Sequence, residues 1–411
     1  MRRVAITGMG AITPVGCTVD TFWSNIKAGH HGIAKIENLD MTGQKVSLAA
    51  QVKDFEVEKY MDKREARRLD PYARFATAAA EQALKDCGTD FSDFDPYRVG
   101  VIIGSGIGGL QTLEANHEKF VQKGPNRVSA LMVPLMIANA ASGHIAMRTG
   151  FKGVNYATVT ACSSSTHAIG EAFHAIQHGY ADAMVTGGAE ATITPFALGA
   201  FANMTALCTG EDPDRASIPF DAERNGFVMG EGAGITILED WHHAVNRGAR
   251  IYAEVVGYGT TNDAYHITSP DPDGMGLVKS MEFALKDANI APSAIGYINA
   301  HGTSTPPNDR TESKAIHTLF GEYAKKLYVS STKSMTGHML GAAGAVEAII
   351  SALSLKEGIV PPTANYKVKD PDCDLDYVTE GARSLDYDYA LSNTMGFGGH
   401  NATICLKKYR G

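Results

Sequence analysis

Residues 154–179, VNYATVTACSSSTHAIGEAFHAIQHG, pass from an extended run into a helical pattern, and the junction holds a single cysteine, Cys162. Ala168, Ile169, Ala172, Phe173 and Ile176 fall on one helix face, and Gly179 marks the stop. Cys162 is thereby placed near a helix N-terminus. Unpaired backbone N–H groups point outward there, and the macrodipole favours negative charge. A thiol so placed is expected to have a lowered pKa and to act as a nucleophile at neutral pH. The same N–H groups suit an oxyanion. Cysteine is also a small apolar core residue, and that is the reading for Cys17, Cys87, Cys208, Cys373 and Cys405.

Three other stretches hold reactive residue types. YINAHGTSTPPNDRTES, 297–313, puts His301 at a strand's end before a hydroxyl-rich loop, suited to bonding a carbonyl and a polar ligand arm. On this stretch alone a hydrogen-bonded core histidine fits equally well. SSTKSMTGHMLGAAGAVEA, 330–348, carries Lys333 and His338 into a glycine-rich helix whose small residues permit close backbone approach. Glu347 follows where it could pair with Lys333; a small-residue interface with a surface lysine is the plainer alternative. SNTMGFGGHNA, 392–402, wraps glycines around Phe397, able to gate a pocket or lend a backbone N–H, or to serve as a plain turn.

The elements that position these residues alternate. Strand-like runs at 4–7, 99–104, 183–188, 234–240, 252–259, 295–302 and 327–333 are separated by helical patterns such as 70–88 and 276–290, which argues an α/β layered fold. RRVAITGMG (2–10) and RIYAEVVGYG (250–259) both read as a basic residue, an extended run and a glycine turn. The Cys162 and His338 stretches both run through small residues into an Ala-rich helix. Two related halves follow, 1–250 with the cysteine and 251–411 with both histidines.

Composition narrows the class. The 411 residues carry a net charge of -8, so nucleic-acid binding through the whole surface is not expected. Six scattered cysteines without a CxxC pair read as reduced thiols, and no apolar run is long enough for a bilayer, so a cytoplasmic, non-membrane protein is expected. No HExxH or Cys/His cluster is present, and no metal is expected. GSGIGG, 104–109, fits GxGxxG after a strand, but the region about twenty positions on reads VQKGPNRV and lacks the acidic residue a dinucleotide site needs.

Cys162 in TACSSS, His301 in NAHGTST, His338 in STKSMTGH and the GFGGHN loop, in this order and spacing, closely resemble the elongating β-ketoacyl-[acyl-carrier-protein] synthases, specifically the synthase II type of bacterial fatty-acid synthesis. The likeness spans the chain, from VAITGMG through RNGFVMGEGAG at 224–234 to the last strand. It implies the thiolase-like fold, a five-layered αβαβα sandwich of two duplicated halves, and a homodimer. It implies that Cys162 takes an acyl chain from acyl carrier protein, and that malonyl-carrier protein then loses carbon dioxide. His301 and His338 would stabilise the enolate, while the Cys162 and Phe397 N–H groups hold the oxyanion. Lys333 and Glu347 would set the local field, with Asp309 supporting.

By the same resemblance Thr303, Thr305 and Thr268 would meet the pantetheine arm and substrate, and Ile107 and Phe201 would shape the acyl tunnel. Arg64, Arg67, Arg68 and Arg127 would form a basic face for the acidic carrier, a run that otherwise reads as a solvated helix face. No cofactor is implied beyond the carrier's 4'-phosphopantetheine, with a structural monovalent cation near Asn393 in some relatives. Two departures stand out: Thr205 where some relatives carry arginine, and His400 in place of threonine. A thiolase would need a second catalytic cysteine, and Cys373 and Cys405 sit in unlike contexts. A synthase III would show asparagine at 338, and a chain-length scaffold typically lacks the cysteine. A polyketide ketosynthase that keeps all three residues stays open.

Overall fold

The computed structural model describes residues 1–411. Ten strands form one mixed sheet: β1 (Val4–Ile12), β2 (Val99–Gly104), β3 (Asn155–Thr158), β4 (Ala183–Glu190), β5 (Gly232–Asp240), β6 (Ala253–Asn262), β7 (Ile295–Asn299), β8 (Tyr328–Ser330), β9 (Tyr389–Gly396) and β10 (His400–Lys408). Their order is β8-β7-β9-β10-β6-β1-β5-β4-β2-β3. From the middle outward the two sides repeat one pattern. β1 pairs antiparallel with β5, β5 antiparallel with β4, and β4 and β3 flank β2 in parallel. β6 pairs antiparallel with β10, β10 antiparallel with β9, and β9 and β8 flank β7 in parallel. A short antiparallel contact, Val4–Ile6 against Ala253–Val255, joins them.

Helices cover this sheet in three places. On one side lies α1 (Pro71–Cys87), capped by Asp70, which accepts the Tyr72 N–H, and ended by Gly88 in the left-handed region. On the other side lie α3 (Met275–Asp287) and α4 (Pro306–Phe320). Between the halves sit α2 (Ser164–Gln177) and α5 (Ala343–Glu357), packed on each other and on strands of both halves. Every residue of α5 from Ala343 to Leu355 is buried, apolar on all faces except for Glu347, Ser351 and Ser354, each of which is hydrogen-bonded. Three apolar clusters fill the spaces between layers. This is a thiolase-like αβαβα arrangement.

The glycines expected to turn the chain after β1 do something else. The strand runs on to Ile12, because Gly8 and Gly10 lie where α1 crosses it. A Cβ on Gly8 would fall 2.2 Å from the Ala83 carbonyl oxygen, and one on Gly10 1.9 Å from that of Ala79. Gly257 and Gly259 in β6 repeat the arrangement under α3, 2.1 Å from the Ala284 oxygen and 1.9 Å from the Ser280 oxygen. The matching sequence feature is thus a helix crossing point in each half. The glycine-rich stretch before Glu347 is also not one helix. Lys333–Thr336 form a short helix and Leu340–Ala342 a tight turn, and α5 starts only at Ala343. Within it Gly344 meets Thr166 of α2 so closely that a Cβ would lie 1.9 Å from the threonine hydroxyl.

Candidate active site

Cys162 lies in a 3-10 turn, Ala161–Ser163, that feeds α2, with Ala161 held at φ 51°. His301 follows the end of β7, and His338 follows the Lys333–Thr336 helix. The fold brings the three together: the Cys162 sulfur and one nitrogen of each ring all lie within 4.8 Å of one another. The two rings stand 5.3 Å apart at 85°. Neither side chain hydrogen-bonds to protein, and both Nδ1 atoms are buried without a partner. All three residues line a cavity of about 310 Å³.

The electrostatics correct the expectation of an easily ionised thiol. Burial pushes the Cys162 thiol up to about 12, against the pull of Lys333 and of the Phe397 and Cys162 backbone N–H groups that point at the sulfur. Desolvation wins because the site is enclosed. The same burial, aided by Lys333, drives His301 and His338 well below the ordinary imidazole range, so both are neutral at pH 7. The resting site is therefore a neutral thiol facing two neutral imidazoles. Lys333 is itself buried and donates to Glu347 Oε1. Burial raises the Glu347 carboxyl to about 7 even beside that ammonium.

Phe397 is half-buried in the β9–β10 hairpin, and its ring lies 6.4 Å from that of Phe201; both line the cavity. Thr303 and Thr305 also line it, their hydroxyls 2.9 Å apart, and Thr268 stands with exposed Ser269 and Pro307 on the outer part of the wall. Exposed Thr205 borders the same cavity. Ile107 is not in the lining and is 40% exposed. Asp309 is also outside it, fully buried beside Arg224 Nε at 3.3 Å and accepting the Phe220 N–H at 2.8 Å. Arg64, Arg67, Arg68 and Arg127 are exposed and lie away from the lining. The acids near the first three are already engaged, Glu65 by His144 and Arg148, Glu58 by Lys63. The remaining cysteines are free, as read from the sequence.

Two acids escaped sequence reasoning. Glu312 on α4 accepts the backbone N–H groups of His301 and Gly302 at 2.9 and 2.8 Å, fixing where the first histidine stands. Glu190, at the end of β4, accepts from Gly106 N–H (2.7 Å), Ile107 N–H (3.3 Å), the Ser105 hydroxyl (3.2 Å) and Gly341 N–H (3.0 Å). The GSGIGG loop thus does cradle an acidic group, but the acid is the protein's own Glu190, whose carboxyl burial raises to about 7. Glu190 ties the loop after β2 to the turn after His338, on either side of Cys162. Glycines admitting backbone to backbone at 106 and 341 were the only trace of it in the sequence.

With a cysteine from one half of the sheet and two histidines from the other meeting at one cavity, the molecule falls in the class of thiolase-like acyl-condensing enzymes. Comparison with known proteins narrows the class. Residues 1–244 match the β-ketoacyl synthase N-terminal domain and residues 252–367 the β-ketoacyl synthase C-terminal domain. The chain belongs to the β-ketoacyl synthase family. It is 52% identical over 408 residues to 3-oxoacyl-[acyl-carrier-protein] synthase 2 of Staphylococcus aureus strain N315, covering 99% of each chain. It is 49% identical over 410 residues to the protein of that name from Synechocystis, covering 100% of this chain and 99% of the other. Among solved structures, a β-ketoacyl synthase from Burkholderia phymatum superposes with a TM-score of 0.93 at 35% identity over 100% of both chains. A complex of a type II polyketide synthase acyl-carrier protein with its ketosynthase bound to a hexaketide matches with a TM-score of 0.92 at 37% identity over 99% of both chains.

Proposed function

We propose that this protein is a 3-oxoacyl-[acyl-carrier-protein] synthase of the type 2 class, which extends an acyl chain by decarboxylative Claisen condensation with malonyl-carrier protein. The observation that carries the proposal is the convergence of Cys162, His301 and His338 within 4.8 Å at the cavity. In the first half-reaction the Cys162 sulfur attacks the acyl thioester. Its proton passes to a neutral imidazole at hand, and the carrier thiol leaves. The Cys162 and Phe397 N–H groups stabilise the tetrahedral oxyanion. In the second, His301 and His338 donate to the thioester oxygen of the malonyl group as carbon dioxide departs. The enolate carbon then attacks the acyl-Cys162 carbonyl, the acyl carbon–sulfur bond breaks, and the released sulfur takes a proton from solvent to regenerate the thiol. Neutral rings suit this work, since each offers an N–H donor without a competing protein acceptor. Burial, aided by the Lys333 charge, keeps both rings neutral, and Glu312 holds the His301 backbone in place.

The pantetheine arm would run past Thr303 and Thr305 and leave beside Thr268. Arg64, Arg67, Arg68 and Arg127 supply exposed positive charge for an acidic carrier. The exposed edge strand β3, with Tyr156 39% exposed and Val159 just beyond its end 55% exposed, suits a homodimer in which Ile107 would be covered. No helix is long and apolar enough to cross a membrane, in keeping with work in the cytoplasm on a carrier-bound substrate. A structural monovalent cation near Asn393 fits the donors there: Asn299 Oδ1, Ser392 Oγ and Glu347 Oε2 lack partners, and Glu312 lies 3.4 Å from Asn393.

Intact-protein mass spectrometry after mixing with acyl-carrier protein tests the proposal. One acyl adduct on Cys162, released as a 3-oxoacyl product two carbons longer on addition of malonyl-carrier protein, is the expected result. No adduct, or decarboxylation without extension, contradicts it. The Staphylococcus aureus and Synechocystis relatives bear the name 3-oxoacyl-[acyl-carrier-protein] synthase 2, and the chain length and reduction state of the product separate fatty-acid elongation from polyketide extension.

A further inference from the structure

The sequence holds no metal-spacing motif because the ligands lie far apart along it: one cysteine at 162 and two histidines at 301 and 338. Folding nevertheless gives one sulfur and two ring nitrogens within 4.8 Å of one another. Tetrahedral zinc, with Zn–S near 2.3 Å and Zn–N near 2.05 Å, needs ligand atoms about 3.3–3.6 Å apart. The triad is therefore at most about 1.5 Å too open on any edge, a gap that small turns of the Cys162 side chain and of the two rings would close. Both imidazoles are 2% exposed, and each has a buried nitrogen without a protein partner. The Phe397 and Cys162 N–H groups that point at the sulfur would support a metal-bound thiolate. The Lys333 ammonium opposes a dication, but Glu347 pairs with it directly. The adjoining cavity of about 310 Å³ leaves the fourth position to water.

We propose that the Cys162–His301–His338 triad is a reversible inhibitory site for a borderline-soft divalent metal ion, zinc foremost. The metal bonds to sulfur, the thiol proton goes to solvent, and no redox change occurs. Hard ions such as magnesium, which prefer oxygen ligands, are not taken. Because the same sulfur carries the acyl chain in the function proposed above, on which the inhibitory consequence rests, metal and acyl group exclude each other.

Cobalt(II) titration of the whole protein tests the site without any substrate. The expected result is one cobalt per chain with a thiolate-to-cobalt charge-transfer band and intense tetrahedral d–d bands, displaced by zinc. The near-isosteric Cys162→Ser should remove the charge-transfer band. His301→Asn and His338→Asn should each weaken binding by at least about tenfold, in the range that even an outer partner is worth in metal sites. His243→Ala, on a distant surface helix, should leave the spectrum unchanged. Zinc should block condensation reversibly, with recovery on chelation and with the acyl-loaded protein immune. A spectrum without the charge-transfer band, a band that survives Cys162→Ser, or zinc inhibition undiminished after acylation overturns the proposal. A protein that forms the acyl adduct but shows no band keeps its condensing function and loses only the metal site. A band on a protein that forms no adduct does the reverse.

Discussion

Gly396→Ala probes the oxyanion site through one methyl group. Gly396 ends β9 against the Cys162 turn, and Phe397 follows it. A Cβ there would lie 2.7 Å from the Thr160 carbonyl oxygen and 3.2 Å from both the Cys162 and Ser163 nitrogens. Ordinary contact begins at 3.4 Å, so the strand end must retreat by roughly 0.7 Å at the oxygen, and these neighbours are backbone that cannot rotate away. The Phe397 N–H moves with it. Removing one oxyanion donor costs about 10²–10³ in kcat, and misplacement on the ångström scale costs about 10². Condensation kcat should therefore fall about a hundredfold while the carrier KM stays within about twofold, since nothing on the carrier side changes. The assay is steady-state condensation from acyl- and malonyl-carrier proteins with product separation, beside malonyl decarboxylation on the same samples. Decarboxylation should fall far less, because the two histidines serve it. A folded Gly396→Ala that condenses within about threefold of the parent would refute the assignment of the Phe397 N–H.

Cys162→Ala should abolish condensation, while Cys162→Gln should retain malonyl decarboxylation at the histidines; carbon dioxide release without extended product checks both. Arg67→Glu with Arg68→Glu should raise the KM for carrier substrates, with a salt dependence weaker than the parent's, and an unchanged KM removes that patch from the docking face. Lys333→Ala leaves Glu347 buried without its cation, so the carboxyl keeps its proton, at a cost of up to about 1.4 kcal/mol relative to the parent at pH 8 by urea unfolding. Glu347 is already raised to about 7 from an ordinary 4.5, and losing the ammonium raises it further. A folded carboxyl that holds its proton longer than the unfolded one loses stability as pH rises, so the gap between variant and parent should open above pH 7 and close in acid. The depressed imidazoles predict an acid limb of the kcat profile well below the ordinary histidine range; an inflection near 6.5 would contradict the neutral-ring site.

What the sequence disclosed depended on whether a residue's role is local. VGVIIG at 99–104 became β2 without a change of boundary, because a short apolar run between turns has little else to be. The α1 and α3 patterns held to within a few residues for the same reason. Gly8 and Gly10 misled because a glycine that admits a crossing helix looks, in one dimension, like a glycine that turns the chain. The Cys162 corner was visible, but its electrostatics were not: a helix N-terminus argues for an anion, and only the three-dimensional enclosure shows that burial outweighs it. Glu190 and Glu312 were illegible because a lone acid carries no sign of which distant amides it will meet. Ile107 and Asp309 came only from family likeness, and in the single chain neither borders the cavity.

The back-to-back seating of α2 and α5 has a bearing on how such a molecule could have come about. A solitary ancestral copy would expose a greasy helix and hold only part of the chemistry, and would have to find a sister in solution. The peptide between Asn246 and Ala253 replaces that search with a tether, so the two halves are made in equal number and meet at an effective concentration of about millimolar or more. Once tethered, the copies were free to diverge, one keeping sulfur and the other nitrogen.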